Sequence, residues 1–215
     1  MGGLAPFASG LGNGPVLSGL VKQMLATGAV LAALTAVVSG PATPAMGATY
    51  RHVDAAHDVE GMPSFSGPYH HAARNRQNDV IRLRVAHGTT RIRIGVTLRS
   101  SSMKGLRWRD ISLSLKTNED RYEGTLHQSH KGTDFILGDK NTHAQRTCRS
   151  YRAGRNGRVL WLSFNRACLQ SPRWIRAGVG VSSSTGSRFF ADNALSDHWS
   201  DRLPYIATPR IRSSK

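Results

Sequence analysis

CRSYRAGRNGRVLWLSFNRAC, residues 148–168, holds both cysteines of the 215-residue chain and, between them, Asn156-Gly157 followed by an apolar run. Asn-Gly is the strongest two-residue hairpin signal, because a type I′ turn needs positive φ at both central positions, which Gly takes freely and Asn tolerates. Such a turn sets Arg155 opposite Arg158. Beyond it Val159, Trp161 and Ser163 alternate with Leu160, Leu162 and Phe164. Apolar side chains then fall on both faces, which predicts an interior strand covered on both sides, with Trp161 in the core. The same register brings Cys148 level with Asn165, three residues short of Cys168. A disulfide between the cysteines therefore needs a bend at residues 165–167 or a bulge. Two free thiols are the expectation in a reducing compartment and a disulfide in an exported protein. Closing a loop of this length contributes about 3 kcal/mol in the chain-entropy view.

Export is what the N-terminal region predicts. Residues 25–38, LATGAVLAALTAVV, carry no charge, follow Lys22 and precede Ser39-Gly40-Pro41, the layout of a secretory signal peptide. Ala45-Met46-Gly47 offers small residues at the −3 and −1 positions, so cleavage is expected near Gly47 or Ala48. The apolar run falls short of the roughly 20 residues a membrane span needs, and no cysteine lies near the cut to carry a lipid. A start at Met24 in place of Met1 would remove Lys22 from the leader. Residues 1–48 are read as a removed signal peptide and residues 49–215 as one secreted domain, free of the membrane and monomeric.

That domain is strongly basic. It keeps 28 of the 29 Lys and Arg against all 13 Asp and Glu, a formal charge of +15. Such a balance attracts polyanions; outside the cell these are anionic wall polymers, acidic polysaccharides or DNA. Solubility and an arginine-rich genome are the competing explanation.

A hydrophobic period of two recurs along the domain and a helical period does not. Ile81, Leu83 and Val85 alternate with Arg82 and Arg84. Ile92, Ile94, Val96 and Leu98 alternate with Arg91, Arg93 and Thr97, and His87-Gly88-Thr89 joins the two runs. Ile111, Leu113 and Leu115 follow, then a polar turn at residues 118–120, weaker strands near residues 122–126 and 135–137, the stapled hairpin, and residues 174–181. Seven to nine short antiparallel strands without crossover helices predict an all-β domain: a single antiparallel β-sandwich, jelly-roll-like.

Three segments carry a resemblance. Asp54-Ala55-Ala56-His57-Asp58-Val59, Asn78-Asp79-Val80 ahead of paired Arg-rich strands, and Cys168-Leu169 with Pro172-Arg173-Trp174-Ile175-Arg176 resemble small exported proteins of high-GC Gram-positive bacteria. The likeness runs along most of the domain and implies export, the disulfide and a β-sandwich, with no activity attached. Where paired acidic residues are expected late in such chains, Asp192-Asn193 stands here.

Linear motifs of catalysis are missing: no HExxH, CxxC, phosphate-binding loop or GxSxG is present. No catalytic residue, metal ligand set or cofactor is assigned. His70-His71 are adjacent and so point apart. Ser182, Ser183 and Ser184 lack a spaced base, and Glu119, Asp120 and Glu123 fall on a turn. Asp54 and Asp58, with Asp192, offer oxygen ligands for Ca²⁺ if the fold gathers them; salt bridges to arginines are the alternative.

Arg82, Arg84, Arg91 and Arg93 form the polyanion-binding candidate, since a hairpin projects all four from one face as forked donors for phosphate or carboxylate. No aromatic stands among them in sequence, so base stacking and specific nucleic-acid recognition are not indicated. The expected function is non-catalytic binding of an anionic cell-wall or extracellular polymer. A secreted hydrolase with a site built from loops is the alternative, and so is a carbohydrate-binding module using Trp108, Trp161, Trp174 or Trp199. Of these, Trp108 and Trp199 sit in polar loops and are the better-placed stacking candidates.

Overall fold

The computed structural model describes residues 47–63, 67–142, 144–197 and 207–214, all within one unit, Thr43–Lys215. Residues 1–46 of the expected signal peptide and Trp199 lie outside the described residues, and no described helix is long and apolar enough to cross a membrane.

The strands in chain order are β1 (Ala48–Val53), β2 (Glu60–Met62), β3 (His70–His71), β4 (Val80–His87), β5 (Arg91–Leu98), β6 (Trp108–Thr117) and β7 (Arg121–Ser129). They continue with β8 (Gly132–Asp139), β9 (Gln145–Arg146), β10 (Arg152–Asn156), β11 (Val159–Asn165), β12 (Trp174–Ser184), β13 (Phe189–Asn193) and β14 (Ile211–Arg212). One sheet runs β1-β4-β5-β11-β10. The other runs β3-β2-β13-β12-β6-β7-β8-β9, with β14 on β12. All pairings are antiparallel. The antiparallel β-sandwich expected from the alternation is present.

Alternation explains the packing. Leu83, Val85, Ile92, Ile94, Val96, Leu98, Leu160, Leu162 and Phe164 of the five-stranded sheet are buried in one core with Ile111, Leu113, Leu115, Leu126, Val179 and Val181 of the other. Each such side chain contributes about 1.5–3 kcal/mol by leaving water. A register shift between Val80 and Arg82 sends Val80 inward and leaves Ile81 half-buried, so the inward set of β4 is Val80, Leu83 and Val85. Beyond this bulge Arg82 and Arg84 keep their outward places.

In the stapled hairpin Asn156 pairs with Val159, so the loop is Gly157-Arg158, one residue further along than the Asn-Gly reading gives, and Arg155 faces Leu160, two residues beyond Arg158. Gly157 has φ 56° and no other loop residue has positive φ, the pattern of a turn with glycine at its first central position. The shifted register brings Cys148 level with Ala167. A 3-10 turn, Arg166–Leu169, then bends the chain back, capped by Asn165 Oδ1 accepting from the Ala167 N–H at 2.9 Å. Cys148 and Cys168 meet there as a disulfide with Cα atoms 5.6 Å apart. The expectation that β11 is covered on both sides does not hold: Leu160, Leu162 and Phe164 face the core, whereas Val159 and Trp161 are half-buried on the outer face.

Two buried ionisable groups show how the interior tolerates polarity. Arg109 is fully buried and donates from Nη1 to the Ser101 carbonyl (3.3 Å) and from Nη2 to the Ser102 carbonyl (2.8 Å). Burial pushes its guanidinium down to about 10. Arg109→Ala is expected to cost about 3 kcal/mol in urea unfolding, because it removes both charge-assisted bonds and leaves a cavity. His87 is also fully buried, with Nδ1 3.0 Å from the Ile211 carbonyl, and burial lowers its pKa from 6.5. A base whose folded pKa is depressed stays neutral until lower pH than in the unfolded chain, so stability is lost as pH falls below about 6.5. The melting temperature of His87→Gln is expected to fall less than that of the unaltered protein between pH 7 and pH 5.

Candidate polyanion-binding face

The five strands of the smaller sheet contain seven arginines, Arg51, Arg82, Arg84, Arg91, Arg93, Arg152 and Arg155, and not one Asp or Glu. Residues opposite one another in antiparallel strands share a face, so the register lays out the outer surface in rows. One row is Arg51, Arg84, Gly95, Trp161 and Gly154; its neighbours are Thr49, Ala86, Arg93, Ser163 and Arg152, and Val53, Arg82, Thr97, Val159 and Asn156. Arg51, Arg82, Arg84, Arg93 and Arg152 are exposed. None of them takes part in the ion pairs found among the described residues, which use Arg99, Arg146, Lys140, His52 and His127.

Arg91 differs from the other three sequence candidates. Its Nε donates to Ser163 Oγ at 2.8 Å, and its Nη2 donates to the carbonyls of Ser163 (2.7 Å) and Ser150 (2.9 Å). It ties β5 to β11 and to the segment before β10, while Arg82, Arg84 and Arg93 remain free to meet a ligand.

Trp161 belongs to this face and not to the core. A Cβ placed on Gly154 would lie 2.9 Å from its Cζ2 and 3.1 Å from its Cε2, so the indole lies across the glycine of the neighbouring edge strand. Gly95 flanks it on the other side. A shallow depression results, with Gly95 and Trp161 in its lining beside Thr49, Arg84, Arg93 and Arg152. An aromatic is thus interleaved with the arginines in space although none is in sequence. Gly154→Val is expected to displace the indole, read as a shift in tryptophan emission, without unfolding the domain.

Arg51 stands directly opposite Arg84. Like charges at such positions repel, and a bound anion removes the repulsion. Planar guanidinium forks suit carboxylate, sulfate and phosphate oxygens, and the indole supplies a flat apolar surface for a sugar ring. Sequence reasoning missed Arg51 and Arg152 because β1 and β10 show no apolar repeat; only their pairing makes them strands.

The remaining candidates are dispersed. Trp108 lies on β6, not in a polar loop, against Phe189 and His127 with ring centroids 6.1 and 6.3 Å away. Trp174 is covered by the Arg210 guanidinium, 4.7 Å above its ring. Ser182, Ser183 and Ser184 are buried in β12; Ser183 Oγ donates to Asn78 Oδ1 at 2.6 Å. Glu123 pairs with Lys140 at 2.7 Å, and Asp120 accepts from Asn141 Nδ2 at 2.5 Å. His70 and His71 line a second cleft with Arg74, Arg76, Lys104 and Arg188.

Asp54, Asp58 and Asp192 do converge, together with Asp79 and Asp197. Among the described residues they do not pair with the arginines of the basic face, and their one Arg partner is Arg99, whose Nη1 donates to Asp79 Oδ2 at 3.0 Å. His57 N–H donates to the same oxygen at 3.1 Å, the Val80 N–H to Asp192 Oδ2 at 2.6 Å, and the Ala55 N–H to Asp54 Oδ1 at 3.1 Å. Burial, reinforced by mutual repulsion, pushes Asp54 up to about 8, Asp58 to about 6 and Asp192 to about 9.

Fold and surface together define an all-β sandwich, one sheet of which has arginines and no Asp or Glu in its five strands. Comparison of the chain with protein-family models, with curated proteins and with solved structures finds no match.

Proposed function

We propose that this is a secreted, non-catalytic protein that binds an anionic cell-wall or extracellular polysaccharide through the outer face of the β1-β4-β5-β11-β10 sheet. The observation that carries the reading is the row Arg51, Arg84, Gly95, Trp161, Gly154 with Arg93 and Arg152 beside it, its arginines in no ion pair among the described residues. An extended face matches a repeating polymer better than a small metabolite. Trp161 favours sugar rings over bare phosphate chains, and the arginines require those rings to carry acid groups. The disulfide and the leader-like residues 25–38 support export.

Trp161→Ala is expected to weaken binding to an acidic polysaccharide about 10-fold, in line with about 1–1.5 kcal/mol for a stacked aromatic, with an unchanged salt slope, in a titration followed by calorimetry. A neutral-sugar module would lose binding in the same variant yet show no salt dependence in the unaltered protein. A hydrolase would release soluble sugars from the polymer over the same titration.

A further inference from the structure

The end of the sandwich where β4 begins holds five aspartates from three separate segments. Asp54 follows β1, Asp58 lies in the loop to β2, Asp79 precedes β4, and Asp192 in β13 is followed by Asp197. Asp58, Asp79 and Asp192 each offer an oxygen within 4.8 Å of the other two, and so do Asp54, Asp58 and Asp197. Oxygens bound to one Ca²⁺ at about 2.4 Å lie no more than about 4.8 Å apart; both trios fit around such an ion and share Asp58.

A second observation is independent of the clustering. Asp79 is 0 % exposed and Asp54 7 %, yet Asp79 Oδ1 and Asp54 Oδ2 are buried with no hydrogen-bond partner among the described residues, as are both carboxylate oxygens of Asp58. Buried carboxylate oxygens are almost always paired, because leaving one without a partner costs about 1–3 kcal/mol or more. Four orphan oxygens on three of the clustered aspartates call for a positive group beyond those the described residues pair with them: Arg99 serves Asp79 Oδ2, His52 stands 3.8 Å from Asp54 Oδ1, and His71 acts on Asp58 only through its charge.

We propose that Asp54, Asp58, Asp79 and Asp192, with Asp197 at the exposed rim, form a Ca²⁺ site. The donors are carboxylate oxygens with no Cys or His in either trio, which selects a hard cation over zinc. The number of carboxylates and the span of the oxygens select Ca²⁺ over Mg²⁺, which binds at about 2.0–2.1 Å and keeps most of its waters. Asp54 and Asp79 flank strands of one sheet and Asp192 belongs to the other, so the ion joins the two sheets. The disulfide lies toward the opposite end, where β11 finishes opposite the start of β5.

The test is a calorimetric titration of EDTA-treated protein with CaCl2 alone, with MgCl2 as comparison, followed by melting with and without Ca²⁺. Saturable Ca²⁺ binding of at least one equivalent is expected, weaker for Mg²⁺, with a rise in Tm of roughly 5–10 °C at 100-fold excess over Kd. Asp58→Asn should lower Ca²⁺ affinity more than about 10-fold and reverse its sign on stability. With EDTA it melts above the unaltered protein, since one crowded charge is gone; with Ca²⁺ it melts below it. Asp197→Asn, at the exposed rim, gives a smaller loss of affinity and serves if Asp58→Asn does not fold. No heat and no Tm change with Ca²⁺ would overturn the site, as would affinity untouched by either substitution or Mg²⁺ binding as tightly as Ca²⁺.

Discussion

Replacing Cys148 and Cys168 together by Ser is expected to lower the melting temperature by roughly 6–12 °C. The bridge closes a loop of sequence separation 20, for which the chain-entropy model gives about 3 kcal/mol, and a domain of this size shifts by about 2–4 °C per kcal/mol. The loss should appear mainly as a less constrained unfolded chain, since Asn165 still caps the Arg166–Leu169 turn and Leu160, Leu162 and Phe164 still face the core. Circular dichroism at 20 °C should therefore be unchanged while the thermal midpoint falls. A midpoint within about 2 °C of the parent would mean that the turn alone holds the base of the hairpin.

The second large effect concerns ligand binding. Each arginine that contacts an acid group releases counterions, so affinity falls steeply with salt, by about 10³ or more between 50 and 200 mM for six or more contacts on a dense polyanion. Changing Arg82, Arg84, Arg93 and Arg152 to Gln removes from one face four exposed cations that form no ion pair among the described residues. The slope of log affinity against log salt is expected to become shallower by about 3–4, near one for each lost contact. Arg91 is left in place because its bonds to Ser163 and Ser150 hold strands together, and replacing it would mix a folding defect with a binding one.

The alternation of β5 and β6 was legible because one face of each is apolar and the other polar: Ile92, Ile94, Val96 and Leu98, then Ile111, Leu113 and Leu115, all became core. Hydrophobicity could not tell which face of β11 another sheet would cover. Trp161 therefore read as interior, although it lies outward across Gly154. The one-residue difference in the hairpin has a similar origin, because Asn156-Gly157 and Gly157-Arg158 are both acceptable turns and the choice falls to pairing of β11 with β5. β1 and β10, written TYRHV and RAGRN in part, carry no repeat of their own and become strands only as edges. The acidic cluster was partly visible in Asp54, Asp58 and Asp192. Asp79 and Asp197 joined it only once β1 paired with β4 and β13 took its place in the other sheet.

A matched-charge comparison tests the basic face most directly. Four exposed cations on that face, Arg82, Arg84, Arg93 and Arg152, are changed to Gln in one protein; four exposed cations of the separate cleft, Arg74, Arg76, Lys104 and Arg188, are changed in another. Both proteins and the parent are titrated with one acidic polysaccharide at roughly 50 and 200 mM salt, the range over which multi-site anion binding drops sharply. The face variant is expected to lose salt-sensitive binding while the cleft variant stays close to the parent. Equal losses in the two variants, or a loss confined to the cleft variant, would contradict it.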